Sequence, residues 1–339
     1  MAKILHTAAI TGIGKYAPDR VMTNDDLAKI VNTSDEWIYS RTGIRERRLA
    51  DSTEATSDLA FYAATNALAV AGRTAAHLDL ILVATCTGDF GSFPATAAIL
   101  QERLGAKRAA AFDVTAVCAG FAYALDVAAQ YVETGRYRTV LVVGAEIMSR
   151  IVDWNDRNTC VLFGDGAGAV VVERAETPEQ GAVLGSILGT DGAGAEHLKI
   201  PAGGTRQPLT LDGINAHQNC IYQNGREVYK FAVKIIGEAA IQALTSVGLT
   251  TADVSLFVPH QANIRIITAA AERMGLPMDK VMVNVERYGN TSAASVPIAL
   301  CEAWETGRIA PGDIVVTVGF GAGLTWGANV IRWGNISHG

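Results

Sequence analysis

With 339 residues, 49% of them hydrophobic, the chain is long enough for one large domain or two of about 170 residues, and it can fill a substantial core. A net charge of −6 argues against a general nucleic-acid binder. There is no apolar run of about 18 residues to suggest a membrane span and no signal-peptide pattern in Met1-Ala2-Lys3-Ile4-Leu5-His6, while five cysteines at 86, 118, 160, 220 and 301 without CxxC or metal-ligand spacing point to a reducing, cytoplasmic setting and no metal site.

Taken in chain order, residues 8–13 read as a strand with glycines at 12 and 14. Thr23-Asn24-Asp25-Asp26 reads as a helix cap before 27–31, and Thr33-Ser34-Asp35-Glu36-Trp37 as a second cap before a short helix. Residues 41–48 carry four arginines (41, 45, 47 and 48) and one glutamate. A solvated surface loop is the ordinary reading of such a run, and a basic lip for phosphate or an acidic partner is the functional one. Residues 57–71 read as an alanine-rich helix, 78–85 as a strand, 88–94 as a glycine-bearing loop, and 96–104 as a helix stopped at Gly105.

Residues 109–114 read as a short buried strand. Residues 119–132 follow with helical apolar spacing at Phe121, Leu125, Ala128 and Ala129. Cys118 therefore lies where a strand turns into a helix. Free N–H groups and the helix dipole favour an anion there, which predicts a thiol more acidic than the ordinary value of about 8.5. The small neighbours Ala116, Ala119 and Gly120 leave the sulfur accessible. A buried structural cysteine is the equal alternative. Residues 139–143 read as a strand. The glycines at 164, 166 and 168 run into a second strand, not a helix, so a dinucleotide fingerprint fails and close backbone packing is expected.

The second half repeats the first. Glu133-Thr134-Gly135-Arg136 recurs as Glu305-Thr306-Gly307-Arg308, an offset of 172 (305 − 133), and residues 72–83 match 248–259 at an offset of 176 (248 − 72). One connection should be about four residues longer in the first half. At the first offset Cys118 falls on Asn290, placed after a strand predicted over 281–285. His260 follows a strand predicted over 255–258. Ligands in open α/β sheets collect beyond the carboxyl ends of strands, so the three side chains could share a pocket between the halves. Cysteine, histidine and asparagine permit two chemistries: a Cys-His-Asn hydrolase, or acyl transfer through a thioester on the cysteine.

Several segments together carry a family resemblance. They are Thr33-Ser34-Asp35-Glu36-Trp37-Ile38 with Arg41-Thr42-Gly43-Ile44, Val117-Cys118-Ala119-Gly120-Phe121, and Phe163-Gly164-Asp165-Gly166-Ala167-Gly168. They continue with Pro259-His260-Gln261-Ala262-Asn263, Gly289-Asn290-Thr291-Ser292-Ala293-Ala294-Ser295 and Gly319-Phe320-Gly321-Ala322-Gly323. In this order they resemble the β-ketoacyl-acyl carrier protein synthase III family of the thiolase superfamily, over nearly the whole chain. The resemblance implies an α/β thiolase-like fold: two pseudo-repeated halves, 1–180 with the cysteine and 181–339 with the histidine and asparagine, layered α-β-α-β-α.

It also implies an acyltransferase that begins type II fatty acid synthesis by condensing an acyl-CoA primer with malonyl-carrier protein, with no cofactor. Cys118 would carry the acyl group, His260 and Asn290 would bind the malonyl thioester carbonyl, and the backbone N–H groups of Cys118 and Ala322 would form the oxyanion hole. Thr33, Trp37, Arg41, Arg157, Gly225, Tyr229, Ala262, Asn263 and Ile266 match CoA-channel positions. Gln261, Ala262, Asn263, Ile264, Arg265, Lys230 and Arg273 match the carrier-protein side. Phe93 matches a residue that closes the partner's acyl pocket in a homodimer. Arg226 and Glu272 depart from the family pattern, at a pantetheine contact and in the basic patch. Rival readings are a polyketide or aromatic-pathway ketosynthase, a cysteine hydrolase of acyl thioesters, and a non-catalytic acyl-CoA binder.

Overall fold

Alternation of two apolar faces along each strand fixes the layering. The computed structural model describes residues 5–337; the first four residues of the stretch read for a signal lie outside them. Five strands, β1 (Ala8–Tyr16), β2 (Leu80–Ala84), β3 (Ala110–Val114), β4 (Thr139–Ile147) and β5 (Asp165–Arg174), form one sheet in the order β1-β5-β4-β2-β3. In β2, Ile81 and Val83 face one core while Leu80, Leu82 and Ala84 face another; Leu141 and Val143 against Val140 and Val142 do the same in β4. A sheet buried on both faces needs such continuous apolar strands.

The second sheet joins β6 (Ala182–Thr190), β7 (Leu256–Pro259), β8 (Ile314–Gly321) and β9 (Thr325–Arg332) in the order β7-β8-β9-β6. Counted from β1 in the first sheet and from β6 in the second, the third and fourth strands, β4–β2 and β8–β7, run parallel. Two helices lie between the sheets. They are α4 (Gly120–Glu133), which puts Phe121, Leu125, Ala128 and Val132 into the central core, and α7 (Ser295–Glu305), which puts Val296, Ala299 and Ala303 there. Helices α2 (Thr56–Val70) and α3 (Thr96–Leu104) cover the outer face of the first sheet, and α5 (Gly225–Ser246) and α6 (Ile264–Met274) the outer face of the second. The arrangement is α-β-α-β-α, as the resemblance implies. A short helix α1 (Asp35–Thr42), capped by the Ser34 side chain on Trp37 N at 3.1 Å, stands beside α6. Among the described residues no helix is long and apolar enough to cross a membrane, and no cluster of ligating side chains could hold a metal.

Three expectations need correction. Strand β3 is an edge strand with Phe112 39% exposed, not a buried one: among the described residues nothing pairs beyond it in the sheet. The strand expected over 281–285 reduces to a single parallel bridge from Val281 to Phe257, and Val285–Tyr288 is one helical turn. The partner of Cys118 in the repeat is Ala293, not Asn290. Single turns Val117–Ala119 and Ser292–Ala294 precede α4 and α7, and their first residues share a left-handed backbone, φ 46° at Val117 and 48° at Ser292. The offset there is 175 (292 − 117). It falls to 172 afterwards because α4 has 14 residues and α7 has 11. The longer element of the first half is thus mainly a helix extended by most of a turn, not a loop.

Glycines 164, 166 and 168 mark close packing, as their run into β5 suggested. A Cβ on Gly168 would stand 2.7 Å from the backbone N of Ile298 in α7.

Candidate active site

Cys118 is placed by a strained turn and by the bare backbone opposite it. Val117, a β-branched residue, holds φ 46°, a conformation that costs about 1–3 kcal/mol and persists only where the surroundings enforce it. Strand β8 supplies that enforcement. A Cβ on Gly319 would lie 2.7 Å from the Cys118 carbonyl oxygen, and one on Gly321 would lie 2.7 Å from its backbone N. Only glycine lets this strand end pass so close. The Cys118 side chain is buried, and its Sγ lies 3.4 Å from Ser292 Oγ. Burial pushes the thiol up to about 12, with the Ser292 contact acting the other way. That direction is opposite to the acidic thiol expected from the helix N-terminus, and its leading cause is desolvation.

His260 follows β7, its backbone N donating to Val318 O at 2.7 Å. Its Nδ1 pairs with Ser295 Oγ, and its ring packs edge-on against Phe320 at 5.5 Å. Complete burial pushes the imidazole down to about 3, so it is neutral. Asn290 is held by its backbone, which bonds Leu162 O at 2.8 Å and accepts from Gly164 N at 3.1 Å. Its Oδ1 accepts from Ser292 N at 2.8 Å, which fixes the amide plane.

These three side chains open into a cavity of about 970 Å³, near the upper end of small-molecule sites. Trp37, Arg41, Gly225, Tyr229, Ala262, Asn263, Ile266 and Ala322 also line it. Arg41 and Arg157 each place a guanidinium 4.6 Å from the Trp37 ring centre. Thr33 is not among the lining residues, and its Oγ1 is buried without a partner. The mouth is braced by Asn263, whose amide donates to Arg41 O at 3.0 Å, and by Arg265, which donates to Ser40 O at 2.8 Å.

The carrier-side residues divide. Lys230 and Arg265 are exposed, and Arg273 is exposed but paired with Glu238. Ile264 is half-buried. Gln261 needs correction as a surface contact. It is buried, its amide donating to Pro259 O at 2.8 Å and Met282 O at 3.0 Å, and its Oε1 accepts from Asn284 N at 2.9 Å. It ties the His260 turn to the following segment. Phe93 is not among the cavity-lining residues and is 84% exposed. The basic-lip reading also fails for Arg47, which is fully buried and donates to Met22 O, Asn24 Oδ1 and Val161 O.

Sequence reasoning assigned no role to Ser295, Ser292, Glu146 or Cys86. Ser292 Oγ donates to Glu146 Oε1 at 2.9 Å, and Cys86 Sγ lies 3.3 Å from the same oxygen. Those partners are separated by 146 and 60 residues in the chain, so no local pattern signals them.

A profile of 3-oxoacyl-[acyl-carrier-protein] synthase III matches residues 112–192, and one of that family's C-terminal region matches residues 244–333. The β-ketoacyl-[acyl-carrier-protein] synthase III of Caldanaerobacter subterraneus subsp. tengcongensis is 54% identical over 326 residues, covering 96% of this chain and 98% of the relative. That of Symbiobacterium thermophilum is 52% identical over 330 residues, covering 97% and 99%. Among solved structures, the 3-oxoacyl-[acyl-carrier-protein] synthase III of Aquifex aeolicus superposes with a TM-score of 0.88 at 46% identity, covering 96% of this chain and 100% of that one. The priming β-ketosynthase of the R1128 polyketide pathway superposes with a TM-score of 0.91 at 35% identity, covering 99% of each.

Proposed function

The chain belongs to the 3-oxoacyl-[acyl-carrier-protein] synthase III family of condensing acyltransferases, and we propose that it condenses a short acyl-CoA primer with malonyl-carrier protein through an acyl-Cys118 thioester. The observation that carries this reading is the single cavity onto which Cys118, His260 and Asn290 open, with an aromatic and cationic mouth at Trp37 and Arg41.

In the first half-reaction the Cys118 sulfur attacks the primer carbonyl and CoA leaves. Adenine would stack on Trp37, displacing Arg41 or Arg157 from the ring, and those guanidiniums would then meet the nucleotide phosphates. Gly225, Tyr229, Ala262, Asn263 and Ile266 would line the pantetheine path. The backbone N–H groups of Cys118 and Ala322 would hold the developing oxyanion.

In the second half-reaction His260 and Asn290 donate to the carbonyl of the malonyl thioester. A neutral histidine suits this role: it offers an N–H without spending binding energy on a buried charge. Loss of CO₂ leaves an enolate held by those two donors. Its carbon attacks the acyl-Cys118 carbonyl, and the Cys118 sulfur departs as the β-ketoacyl-carrier protein forms. Nothing in this sequence of steps calls for a metal or an organic cofactor. The exposed Lys230 and Arg265 suit an acidic carrier protein, and the exposed Phe93 suits a homodimer contact that closes the partner's acyl pocket. The site of action would be the cytoplasm.

Intact-protein mass spectrometry tests the reading. Acyl-CoAs of graded length and branching are mixed with the protein, and malonyl-carrier protein is then added. A mass increase on Cys118, discharged as β-ketoacyl product, is expected. Release of free acid without malonyl thioester would replace the reading with a hydrolase, and failure of every acyl-CoA to label Cys118 would overturn it. The likeness to a priming polyketide ketosynthase supports a second reading, which differs in its primer; the same panel separates the two.

A further inference from the structure

A chain of hydrogen bonds runs inward from the nucleophile. The Cys118 thiol faces Ser292 Oγ at 3.4 Å, and the Ser292 hydroxyl donates to Glu146 Oε1 at 2.9 Å. A hydroxyl has one proton. With that proton committed to Glu146, Ser292 presents a lone pair to Cys118, so the thiol is the donor and the chain has one direction. We propose that Ser292 and Glu146 form a proton relay for Cys118, Ser292 touching the reacting sulfur and Glu146 serving as the terminal acceptor. The proposal rests on the acyl-Cys118 reading.

Glu146 is built as an acceptor. It is fully buried and takes hydrogen bonds from Thr85 Oγ1, the backbone N and Sγ of Cys86, the backbone N and Oγ1 of Thr87, and Ser292 Oγ. The backbone N–H groups of Cys86 and Thr87 can only donate, and between them they face both carboxyl oxygens, which favours the carboxylate. None of those partners is a cation. Burial pushes its affinity for a proton up, while the Thr87 and Cys86 bonds hold it down, and the balance leaves a stronger base than a surface glutamate. The Cys118 thiol needs such a base, because burial opposes its ionisation.

Ser292 is also positioned at a cost. It is wholly buried at φ 48°, and Asn290 Oδ1 clamps its backbone N. The titratable groups facing the relay are Cys118, Cys86 and Glu146, and His260 lines the same cavity.

The Cys118 S–H proton passes to Ser292 Oγ as the Ser292 proton passes to Glu146. The resulting thiolate forms a carbon–sulfur bond to the primer carbonyl, and the carbon–sulfur bond to CoA breaks. The departing CoA thiolate takes a proton back through Ser292, and Glu146 returns to its carboxylate. Acyl-CoA and Cys118 thiol give acyl-Cys118 and free CoA, with no net change in protons.

The test reads the Cys118 thiolate directly. Alkylation by iodoacetamide is followed on the Cys118 peptide by mass spectrometry from pH 5 to 10, in the intact protein and in Ser292→Ala and Glu146→Gln. Both variants should alkylate about tenfold or more slowly at pH 7, with the rising limb displaced upward by about one pH unit or more. Decarboxylation of malonyl-carrier protein, which depends on His260 and Asn290, should fall by a smaller factor than alkylation in both variants. Wild-type pH dependence in Glu146→Gln would overturn the relay, whatever Ser292→Ala does. Loss of alkylation and decarboxylation together would show a structural role and overturn it as well. Should the unaltered protein alkylate normally yet take no acyl group from any acyl-CoA, the acyl-transfer reading fails while the relay result stands apart from it.

Discussion

His260 is uncharged because it is buried, and that has a consequence for stability. Its imidazole is held near 3 in the folded chain against about 6.5 when unfolded. Above pH 6.5 both states leave the ring neutral and it contributes no pH dependence. As pH falls from 6.5 toward 3 the unfolded chain gains a proton that the folded chain refuses, so folding stability is lost through that window. Urea unfolding of the wild type and His260→Gln across pH 3–8 should show a steeper acid loss in the wild type, by up to about 1.4 kcal/mol per pH unit. Parallel curves would mean that the ring is hydrated. Ser295 matters to the same residue in another way. Its hydroxyl at Nδ1 can donate to that nitrogen and so leave the proton on Nε2 for the malonyl carbonyl. Ser295→Ala should slow decarboxylation by about tenfold, or roughly 1.4 kcal/mol, with self-acylation by acyl-CoA little changed. Equal loss in both half-reactions would remove Ser295 from this positioning role.

Among the elements, strand β8 and the turn before α4 act as one device. The carboxyl end of β8 carries glycines at 319 and 321 because the Cys118 backbone passes against both. Gly321→Ala would push a methyl toward the Cys118 N–H, one of the two proposed oxyanion donors, and move β8 away from the turn. Self-acylation should fall by about 10²-fold, the cost of losing one such donor, while the far-UV spectrum stays unchanged. A rate within threefold of wild type would show that the strand can yield. A second device is Arg47, whose strand, Glu46–Arg48, pairs with Val21–Thr23. Its buried guanidinium joins that strand pair to Val161 O, next to the segment that pairs with Asn290. Arg47→Ala leaves those carbonyls without donors and opens a cavity. It should cost about 3 kcal/mol in urea unfolding; a loss below about 1 kcal/mol would count against an anchoring role. The charge run around Arg47 suggested a surface lip because sequence records charge and not depth. Three of its four arginines do remain at least partly exposed.

At the scale of the molecule, the duplication was legible because each half repeats short, strongly patterned pieces: apolar strands of alternating facing, glycine stops and the Glu-Thr-Gly-Arg turn. What could not be read was the way the halves engage. The length difference between α4 and α7 shifted the offset and pointed Cys118 at Asn290, when the turn that mirrors it begins at Ser292. The contacts that build the site, Cys118 to Ser292 and Ser292 to Glu146, cross between halves over 174 and 146 residues, beyond any periodic signal. The same interlocking bears on whether 1–180 and 181–339 are separable units. Helix α4 from the first half and α7 from the second share one core, in which Phe121, Leu125, Val296 and Leu300 meet residues of both sheets. Cut apart, each half would expose that layer to water, at about 25 cal/mol for every Å² of apolar surface. We propose that the halves, repeats in topology, fold as a single unit. Unfolding in guanidinium followed by tryptophan fluorescence and by far-UV circular dichroism should give coincident single transitions, and fragments 1–180 and 181–339 expressed separately should lack native near-UV signals. Two resolved transitions, or a fragment that folds alone, would show that the central helices can be satisfied within one half.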